Sequence, residues 1–406
     1  MPKIDKYIPI VGQETIEGLF LLAEKLKGKS IVNVNSTAVG GGVAEILTRM
    51  IPLLNQLNVN AKWDVIKGND RFFKITKDFH NALHGVPVTI TKDDFDFFIS
   101  VNRDNMKDFD FSRDIFFIHD PQPIVLIEKK QEIGKHWAWR CHIDFTEPQD
   151  VIINFLSSYI NQYDAAVFSA PAFSRKFNIP QFLISPSIDP LADKNKELPE
   201  EIIRKIVEGF GIDTSRKIIT QISRFDYLKD PLGVIEAYKE VKKYVDCQLV
   251  LAGGGATDDP EGMEVLAKVK AAAEKDKDIF VLFLPPSSDI EINALQRASN
   301  VVLQKSLKEG FGLTVAEALW KGKPVIAGAV GGIPLQIKHQ YSGILSYSVE
   351  GTAFYLKQLL TEPDYAKSLG VNGRSHIKDN FLITRHLRDY LMLFISLIDK
   401  REVIPC

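Results

Sequence analysis

The sequence predicts an α/β fold in which parallel β-sheets are covered by helices. Short apolar or β-branched runs alternate with longer segments of helical period along all 406 residues. This alternation is typical of repeated strand–helix units. Apolar residues make up 45% of the chain and charged residues 25%, the ordinary balance of a globular protein with sizeable cores. At roughly 150 residues per domain, the length predicts two or three domains.

The strand predictions come from the short apolar runs. They are Ser30–Asn35, Phe97–Val101, Ile115–His119, Ala165–Ser169, Ile218–Ile222, Gln248–Ala252, Ile279–Phe283, Val301–Gln304 and Pro324–Ala327. Between the first two runs, apolar residues from Val43 to Leu57 follow in steps of three and four, which predicts one amphipathic helix. Pro52 should kink or break that helix.

A domain boundary is predicted near SPSIDPLADKNK, residues 185–196, because prolines and charges there precede a new strand–helix series. We therefore expect two domains of parallel sheet covered by helices, residues 1–188 and 189–379. The last helical segment, within residues 380–406, is expected to complete the first domain.

Composition excludes several classes of function. The net charge of −2 provides no general field for nucleic acid or an anionic membrane. The three cysteines are far apart and favour a reducing compartment. No signal-peptide core and no apolar run of membrane-spanning length occurs, so a cytoplasmic protein is expected.

The first candidate ligand site is the run Asn35–Gly42, NSTAVGGG, between a strand and the Val43 helix. Its glycines, among them Gly41 and Gly42, allow a ligand to approach the backbone, and the helix start offers N–H groups to an anion. The spacing differs from the dinucleotide fingerprint, so a nicotinamide cofactor is not expected. A tight turn without a ligand is the alternative.

The second candidate site holds two cations, Arg224 and Lys229, beyond the carboxyl end of the strand Ile218–Ile222. Open α/β sheets bind ligands at that edge. Asp230 and Pro231 predict the N-cap and first residue of a helix. Two cations near a helix start indicate a bound diphosphate. The alternative is a pair of surface charges that are neutralised by Asp226 and Asp230.

The third candidate site is the segment Glu309–Glu317, EGFGLTVAE, which leads from a strand into a predicted helix at Thr314–Lys321. Gly310, Phe311, Gly312, Leu313 and Thr314 would expose backbone N–H groups to a phosphate. The carboxylates at its two ends suit hydroxyl groups, as a sugar and a ribose would supply.

In the first half, HDPQP (119–123) and WAWRCHID (137–144) place polar side chains at predicted strand ends. Asp120, Gln122, Arg140, His142 and Asp144 are therefore candidate ligands of sugar hydroxyls. The alternative is a core strand with satisfied polar ends. Two D-x-D runs, at residues 94–96 and 108–110, adjoin apolar sequence without a third ligand, and no metal is expected.

With these motifs in place, the chain resembles the retaining GT-B glycosyltransferases of the glycogen-synthase-like superfamily. Arg224, Lys229, the Glu309-x7-Glu317 spacing and Gly331–Pro334 carry that resemblance. A narrower one, to the trehalose glycosyltransferring synthases and through them to fungal-type trehalose phosphorylase, rests on NSTAVGGGVAEIL, HDPQP, WRCHID, PSIDPL and EGFGLTVAEALWKGKPVI. It spans roughly residues 20–395. The resemblance implies a GT-B fold of two Rossmann-like domains whose parallel sheets face each other across a cleft.

The resemblance implies a role for each candidate residue. Catalysis would rest on Arg224 and Lys229 at the donor diphosphate, Glu309 at the transferred glucose and His142 near its reacting face. Donor contacts would come from Gly41, Gly42, Gly310, Phe311, Gly312, Leu313, Thr314 and Glu317, the last at the ribose. Acceptor contacts would come from Asp120, Gln122, Arg140 and Asp144.

The resemblance also implies the reaction, which is retaining transfer of glucose from UDP- or ADP-glucose to free glucose, giving α,α-trehalose. A leaving phosphate oxygen would take the acceptor's proton without a protein nucleophile, and no metal or other cofactor is implied. Trehalose phosphorylase activity, another acceptor and a non-catalytic sensor are the alternatives. Nucleic-acid and membrane partners are not expected, and a homodimer is left open.

Overall fold

The computed structural model describes residues 3–38, 41–254 and 260–399. The chain forms two compact units. Unit 1 comprises Met1–Ser187 together with Ile383–Cys406, and unit 2 comprises Ile188–Leu382. The sequence predicted that the chain passes from the first domain to the second after residue 188 and returns after residue 379. The chain thus enters unit 2 once, leaves it once and returns to unit 1 for its last helix.

Unit 1 contains a six-stranded, fully parallel sheet of order β2-β1-β3-β4-β5-β6. Its strands are β1 Ser30–Asn35, β2 Asn60–Val65, β3 Ile115–His119, β4 His136–Cys141, β5 Ala165–Phe168 and β6 Gln181–Leu183. Its helices are α1 Ile8–Val11, α2 Gln13–Glu24, α3 Gly41–Gln56, α4 Asp70–Leu83, α5 Lys92–Asp108, α6 Lys130–Ile133 and α7 Asp150–Ile160, followed at the end of the chain by α16 Ile383–Ile398.

Unit 2 contains a second six-stranded parallel sheet, of order β12-β11-β10-β7-β8-β9. Its strands are β7 Lys217–Ile222, β8 Cys247–Gly253, β9 Ile279–Phe283, β10 Val301–Gln304, β11 Val325–Gly328 and β12 Ile344–Ser346. Its helices are α8 Glu200–Gly209, α9 Pro231–Lys242, α10 Pro260–Ala273, α11 Asp289–Ala298, α12 Leu313–Trp320, α13 Ile333–Gln336, α14 Val349–Thr361 and α15 Pro363–Asn380.

Helices cover both faces of the unit 2 sheet, and the strand sequences show it. Ile219 and Leu249 belong to one buried apolar cluster, whereas their strand neighbours Ile218 and Val250 belong to another. Adjacent residues of a strand point to opposite faces, so each face has its own core. This explains why the strands are continuous apolar runs rather than alternating ones.

The last helix, α16, packs on the sheet of unit 1. The ring of Phe117 in β3 meets Tyr390 at 5.0 Å and Phe394 at 5.5 Å, in both cases edge to face. Tyr390 and Phe394 are fully buried. Residues more than 260 positions apart therefore share one core, which is why the helix belongs to unit 1.

The strand predicted at Phe97–Val101 is wrong, because those residues lie inside α5. Thr91 and Asp94 form a capping box at the start of that helix, and Phe98, Asn102 and Met106 recur at helical spacing on its buried side. The short apolar run therefore is part of a helix face. The cap also occupies Asp94, a member of one D-x-D run.

The break predicted at Pro52 is not seen, since α3 continues through it to Gln56. Pro52 removes a single backbone donor, while Leu47, Met50 and Leu54 are fully buried on the same helix. That apolar face holds the helix together. The predicted helix at Thr314–Lys321 is confirmed with a shift of one residue, as α12.

Candidate functional sites

Each sheet has one point where the order of its strands reverses direction, and the candidate residues gather there. In unit 2, β8 and β9 follow on one side of β7, and β10 then lies on the other side of β7. In unit 1, β3 lies on the opposite side of β1 from β2. In open α/β sheets, ligands bind at the carboxyl ends of the strands at such switch points.

In unit 2, the loops after β7 and β10 bring Lys229 and Glu309 together. Lys229 Nζ donates to Glu309 Oε2 at 2.7 Å, and Ser306 Oγ donates to the same oxygen at 3.1 Å. The two charged side chains are only 16% and 12% exposed. A largely shielded pair of this kind interacts more strongly than a surface pair. Two residues 80 positions apart thus form one charged centre.

That centre lies at the start of helix α12. Gly312, the N-cap residue, has φ 81°, and a β-carbon there would come within 3.3 Å of Glu309 Cγ. A β-carbon on Gly331, φ 55°, would lie 1.6 Å from the carbonyl oxygen of Glu309. Both positions favour glycine for conformation, and Gly331 requires it for space as well. They let the Glu309 loop pack closely beside first-turn N–H groups that have no partner within their own helix.

The other predicted cation, Arg224, has a different environment. Its Nη2 donates to Asp226 Oδ2 at 3.1 Å, and its side chain is 53% exposed. This is the surface pairing that the sequence left open as an alternative. Asp230 caps α9 by accepting from Gly233 N at 3.1 Å, as predicted, and also accepts from Lys305 Nζ. Arg224 is therefore much more exposed than Lys229, whose side chain is largely shielded beside Glu309.

Glu317, at the fifth position of α12, is only 2% exposed. Its Oε1 lies 3.9 Å from Lys194 Nζ. Lys321, one turn later, is also buried and donates to Gln296 Oε1 at 2.7 Å and Asn195 Oδ1 at 3.1 Å. Burial lowers the pKa of Lys321 against the attraction of Glu317. Buried charges of opposite sign thus surround the predicted ribose ligand.

In unit 1, polar side chains from β1, β3 and the segment after β4 form a connected chain. His119 Nε2 lies 3.0 Å from Asn33 Oδ1, and His119 Nδ1 lies 3.0 Å from His142 Nε2. Burial, aided by the charge of Arg140, lowers the pKa of His119 to about 3 and the pKa of His142 well below its ordinary value. Both imidazoles are therefore neutral near pH 7.

Asp120 follows β3 directly and has φ 63°, unusual for a residue with a side chain. Its Oδ1 accepts from His142 N at 2.7 Å, and its carbonyl oxygen accepts from Trp139 Nε1 at 3.0 Å. Burial raises the pKa of Asp120 to about 7, although the His142 N–H and Arg140 act in the opposite direction. The site therefore holds a carboxyl group that titrates near neutral pH.

Arg140 is fully buried, and its guanidinium has no hydrogen-bond partner among the described residues. It lies 5.7 Å from the centroid of the Tyr390 ring. Within the same described part of the chain, the buried amide oxygen of Gln122 and the Tyr390 hydroxyl also lack partners. Buried polar groups are nearly always hydrogen-bonded in folded proteins, so these groups indicate a place for a polar ligand or water.

Other predicted residues have local roles or lie outside these clusters. Asp144 Oδ1 accepts from Thr146 N at 2.9 Å and from its hydroxyl at 2.5 Å, which closes a turn after β4. Gly41 begins α3 and Gly42 follows it, at the carboxyl end of β1. Val39 and Gly40 of the same motif lie outside the described residues.

Sequence reasoning missed Asn33 and Ser306 as site residues. A signal existed for Asn33, since polar residues interrupt the otherwise apolar strand SIVNVN at residues 30–35. Among the residues that the structure describes, no group of three His, Cys, Asp or Glu could hold a metal ion. Within that same part, none of the helices has the length and apolar character to cross a membrane.

Comparison with known proteins defines the class. The description "Glycosyl transferases group 1" matches residues 202–376, and "Trehalose synthase, N-terminal domain" matches residues 33–175. The trehalose-6-phosphate synthase OtsA has a similar structure, with a TM-score of 0.74 at 14% identity over 93% of this chain and 100% of that chain. The protein is a glycosyltransferase with the GT-B fold.

The relatives define the family within that class. The trehalose synthases of Thermococcus litoralis and Rubrobacter xylanophilus are 43% and 41% identical, with 97% of this chain covered in both cases and 97% and 96% of theirs. The trehalose phosphorylase of Grifola frondosa is 32% identical over 98% of this chain and 61% of its own length. This chain belongs to the trehalose synthase family, and its chemistry is a trehalose-related glycosyl transfer.

Proposed function

We propose that this protein transfers glucose from a nucleoside diphosphate glucose, UDP- or ADP-glucose, to free glucose with retention of configuration. The products are α,α-trehalose and the nucleoside diphosphate, and the reaction runs in both directions. The observation that carries the proposal is the Lys229–Glu309 pair at 2.7 Å beside the start of α12. A cation, a carboxylate and open helix N–H groups at one point suit a sugar joined to a diphosphate.

Each part of that centre has a role in bond breaking. The bond between the anomeric carbon and the phosphate oxygen breaks, and negative charge grows on the diphosphate. Lys229, Arg224 and the N–H groups from Gly310 to Thr314 stabilise that charge, and the ring of Phe311 packs against Phe381. Because the backbone holds the N–H groups in place, they need little reorganisation during the reaction.

Glu309 and Glu317 would bind the neutral parts of the donor. When Lys229 turns to the diphosphate, Glu309 keeps the Ser306 bond and accepts from hydroxyls of the transferred glucose. Glu317, which is buried near Lys194, would accept from the ribose. A purely inorganic leaving group has no ribose, so Glu317 supports the nucleotide donor.

The polar cluster of unit 1 would bind sugar. His142 would contact the transferred glucose, with Gly41 and Gly42 at its phosphate. Asp120, Gln122, Arg140 and Asp144 would bind hydroxyls of the acceptor, and the acceptor proton would pass to the leaving phosphate oxygen. The unpartnered guanidinium of Arg140 and amide oxygen of Gln122 supply a donor and an acceptor for this purpose.

The direct test is to incubate the purified protein with trehalose and either UDP, ADP or inorganic phosphate. We expect glucose to form with a nucleoside diphosphate and not with phosphate. Product with phosphate alone would instead establish a trehalose phosphorylase, the second candidate, which is favoured by relatives such as the 32% identical Grifola protein.

The same assay tests the charged centre. Lys229→Met should lower kcat by about a hundredfold or more, the typical cost of removing one preorganised donor, while the protein stays folded. The matched control is Lys243→Met, because Lys243 pairs with Glu240 on the exposed surface at the end of α9. Near-normal turnover in Lys229→Met would remove the assignment of this centre.

A further inference from the structure

The hydrogen-bonded chain in unit 1 has a direction, which the individual side chains do not reveal. It begins at the carbonyl oxygen of Lys62 in β2, which lies 3.5 Å from Asn33 Nδ2. It continues through Asn33 Oδ1 to His119 and ends at His142. Asn33 and His119 are each only 1% exposed, whereas His142 retains some exposure to solvent.

The proton on each nitrogen of the chain follows from its neighbours. A carbonyl oxygen can only accept, so Asn33 turns its amide nitrogen to Lys62 and its amide oxygen to His119. The reverse orientation would place two oxygens face to face. The oxygen of Asn33 can also only accept, and His119 must therefore carry its proton on Nε2.

The second half of the chain follows in the same way. The charged or titratable groups that face these imidazoles are Arg140 on β4 and His386 on α16, and a nearby cation disfavours a second positive charge. His119 is therefore neutral, and its Nδ1 is an acceptor. His142 must donate from Nε2, and since it is neutral as well, its own Nδ1 carries a lone pair.

We propose that Asn33 and His119 are positioning residues that fix His142 in the tautomer whose Nδ1 accepts a hydrogen bond. The ligand of His142 is then a hydroxyl group that donates its proton to Nδ1. The backbone is fixed as well, because His142 N donates to Asp120 Oδ1 at 2.7 Å. The tautomer does not depend on the proposed function. That the hydroxyl belongs to the transferred glucose does rest on the proposed function.

The tautomer can be measured in the full-length protein without any ligand. Long-range proton–nitrogen correlation spectra of ¹⁵N-histidine-labelled protein distinguish protonated from bare ring nitrogens, and His142→Gln identifies the signals of His142. We expect the proton of both His119 and His142 on Nε2. A proton on Nδ1 of His142 in the unaltered protein would overturn the proposal, and this measurement needs no variant to fold.

Asn33→Leu tests whether Asn33 fixes the tautomer of His142. Without the acceptor at position 33, His119 can place its proton on either nitrogen, and we expect His142 to show both tautomers. The matched control is Asn102→Leu, because Asn102 is fully buried in unit 1 and its amide nitrogen donates to Phe98 O within α5. If His142 keeps a single Nε2–H tautomer in Asn33→Leu, Asn33 does not fix it and the proposal fails.

Donor analogues test the consequence for recognition. The sugar hydroxyl that contacts His142 can be identified first. At its position, the loss of kcat/KM caused by removing the hydroxyl and the loss caused by His142→Gln do not add. At that position, the deoxy and deoxyfluoro donors should both lose about 10- to 100-fold in kcat/KM, since fluorine accepts but cannot donate. A deoxyfluoro donor that retains activity there would show that His142 donates, and would overturn the proposal.

The experiments separate the two levels of the argument. A protein that makes no trehalose from any nucleotide sugar contradicts the proposed function, while the spectra still decide the tautomer. A protein that is active but has a proton on Nδ1 of His142 contradicts this inference alone.

Discussion

Asp120→Asn should make unit 1 more stable, and the gain should depend on pH. Asn retains the Oδ1 atom that accepts from His142 N at 2.7 Å, and Asn adopts positive φ values such as 63° more readily than most residues. The substitution therefore keeps the local geometry. What it removes is the ability of the side chain to ionise.

The sign follows from the pKa of Asp120, which burial raises from 3.8 to about 7. Between these two values the unfolded chain releases its proton while the folded chain keeps it, so the original protein loses stability as the pH rises. Each pH unit of that window is worth about 1.4 kcal/mol. The side chain is partly exposed, so we expect a gain of about 1–3 kcal/mol at pH 8 and almost none at pH 4.

The measurement is urea unfolding of both proteins at several pH values between 4 and 8. Asp114→Asn is the control of opposite sign. Burial acts to raise the pKa of Asp114, but the bonds from Ser30 and Lys135 outweigh it and hold that pKa below 3.8. Asp114→Asn should therefore lose stability at pH 8. If the free energies of unfolding of Asp120→Asn and of the original protein change in parallel from pH 4 to pH 8, the assigned environment of Asp120 is wrong.

Two further variants test other parts of the structure. Gly331→Ala should disturb the loop of Glu309, because the new β-carbon would lie 1.6 Å from the Glu309 carbonyl oxygen. We expect calorimetry to show weaker donor binding. Gly18→Ala is the neutral comparison, because its β-carbon would meet nothing within 4 Å. Asp278→Asn should cost about 1–3 kcal/mol at pH 7, since the bond from Arg216 holds the pKa of Asp278 far below its ordinary value. That cost should shrink as the pH falls toward that pKa, and a constant difference down to pH 2 would contradict it.

The sequence predicts most central strands but fewer of the edge strands. Ile115–His119 and Val301–Gln304 have the predicted bounds, because a run buried by helices on both faces must be apolar throughout. The edge strand β2, NAKWDV, mixes Lys62 and Asp64 with apolar residues. Because the exposed side of β2 needs no apolar residues, the strand contains no apolar run from which it could be predicted.

The candidate site shows a similar limit. The motifs supplied Lys229 and Glu309 as separate signals, but only the arrangement of β7 beside β10 brings them to 2.7 Å. Asn33 was not predicted as a site residue, because its role depends on His119 and, through it, on His142. A chain of hydrogen bonds across three strands has no local spacing that a motif could display.

The path of the chain has a practical consequence for dissecting the protein. Both ends of unit 2 meet, as Ile188 N donates to Phe381 O at 2.9 Å and Ile188 pairs with Leu382. A single uninterrupted gene fragment can thus encode the whole of unit 2. Unit 1 has no such fragment, since a stop codon before Ile383 deletes the aromatic partners of Phe117. An isolated unit 1 requires a short linker that joins residue 187 directly to residue 383.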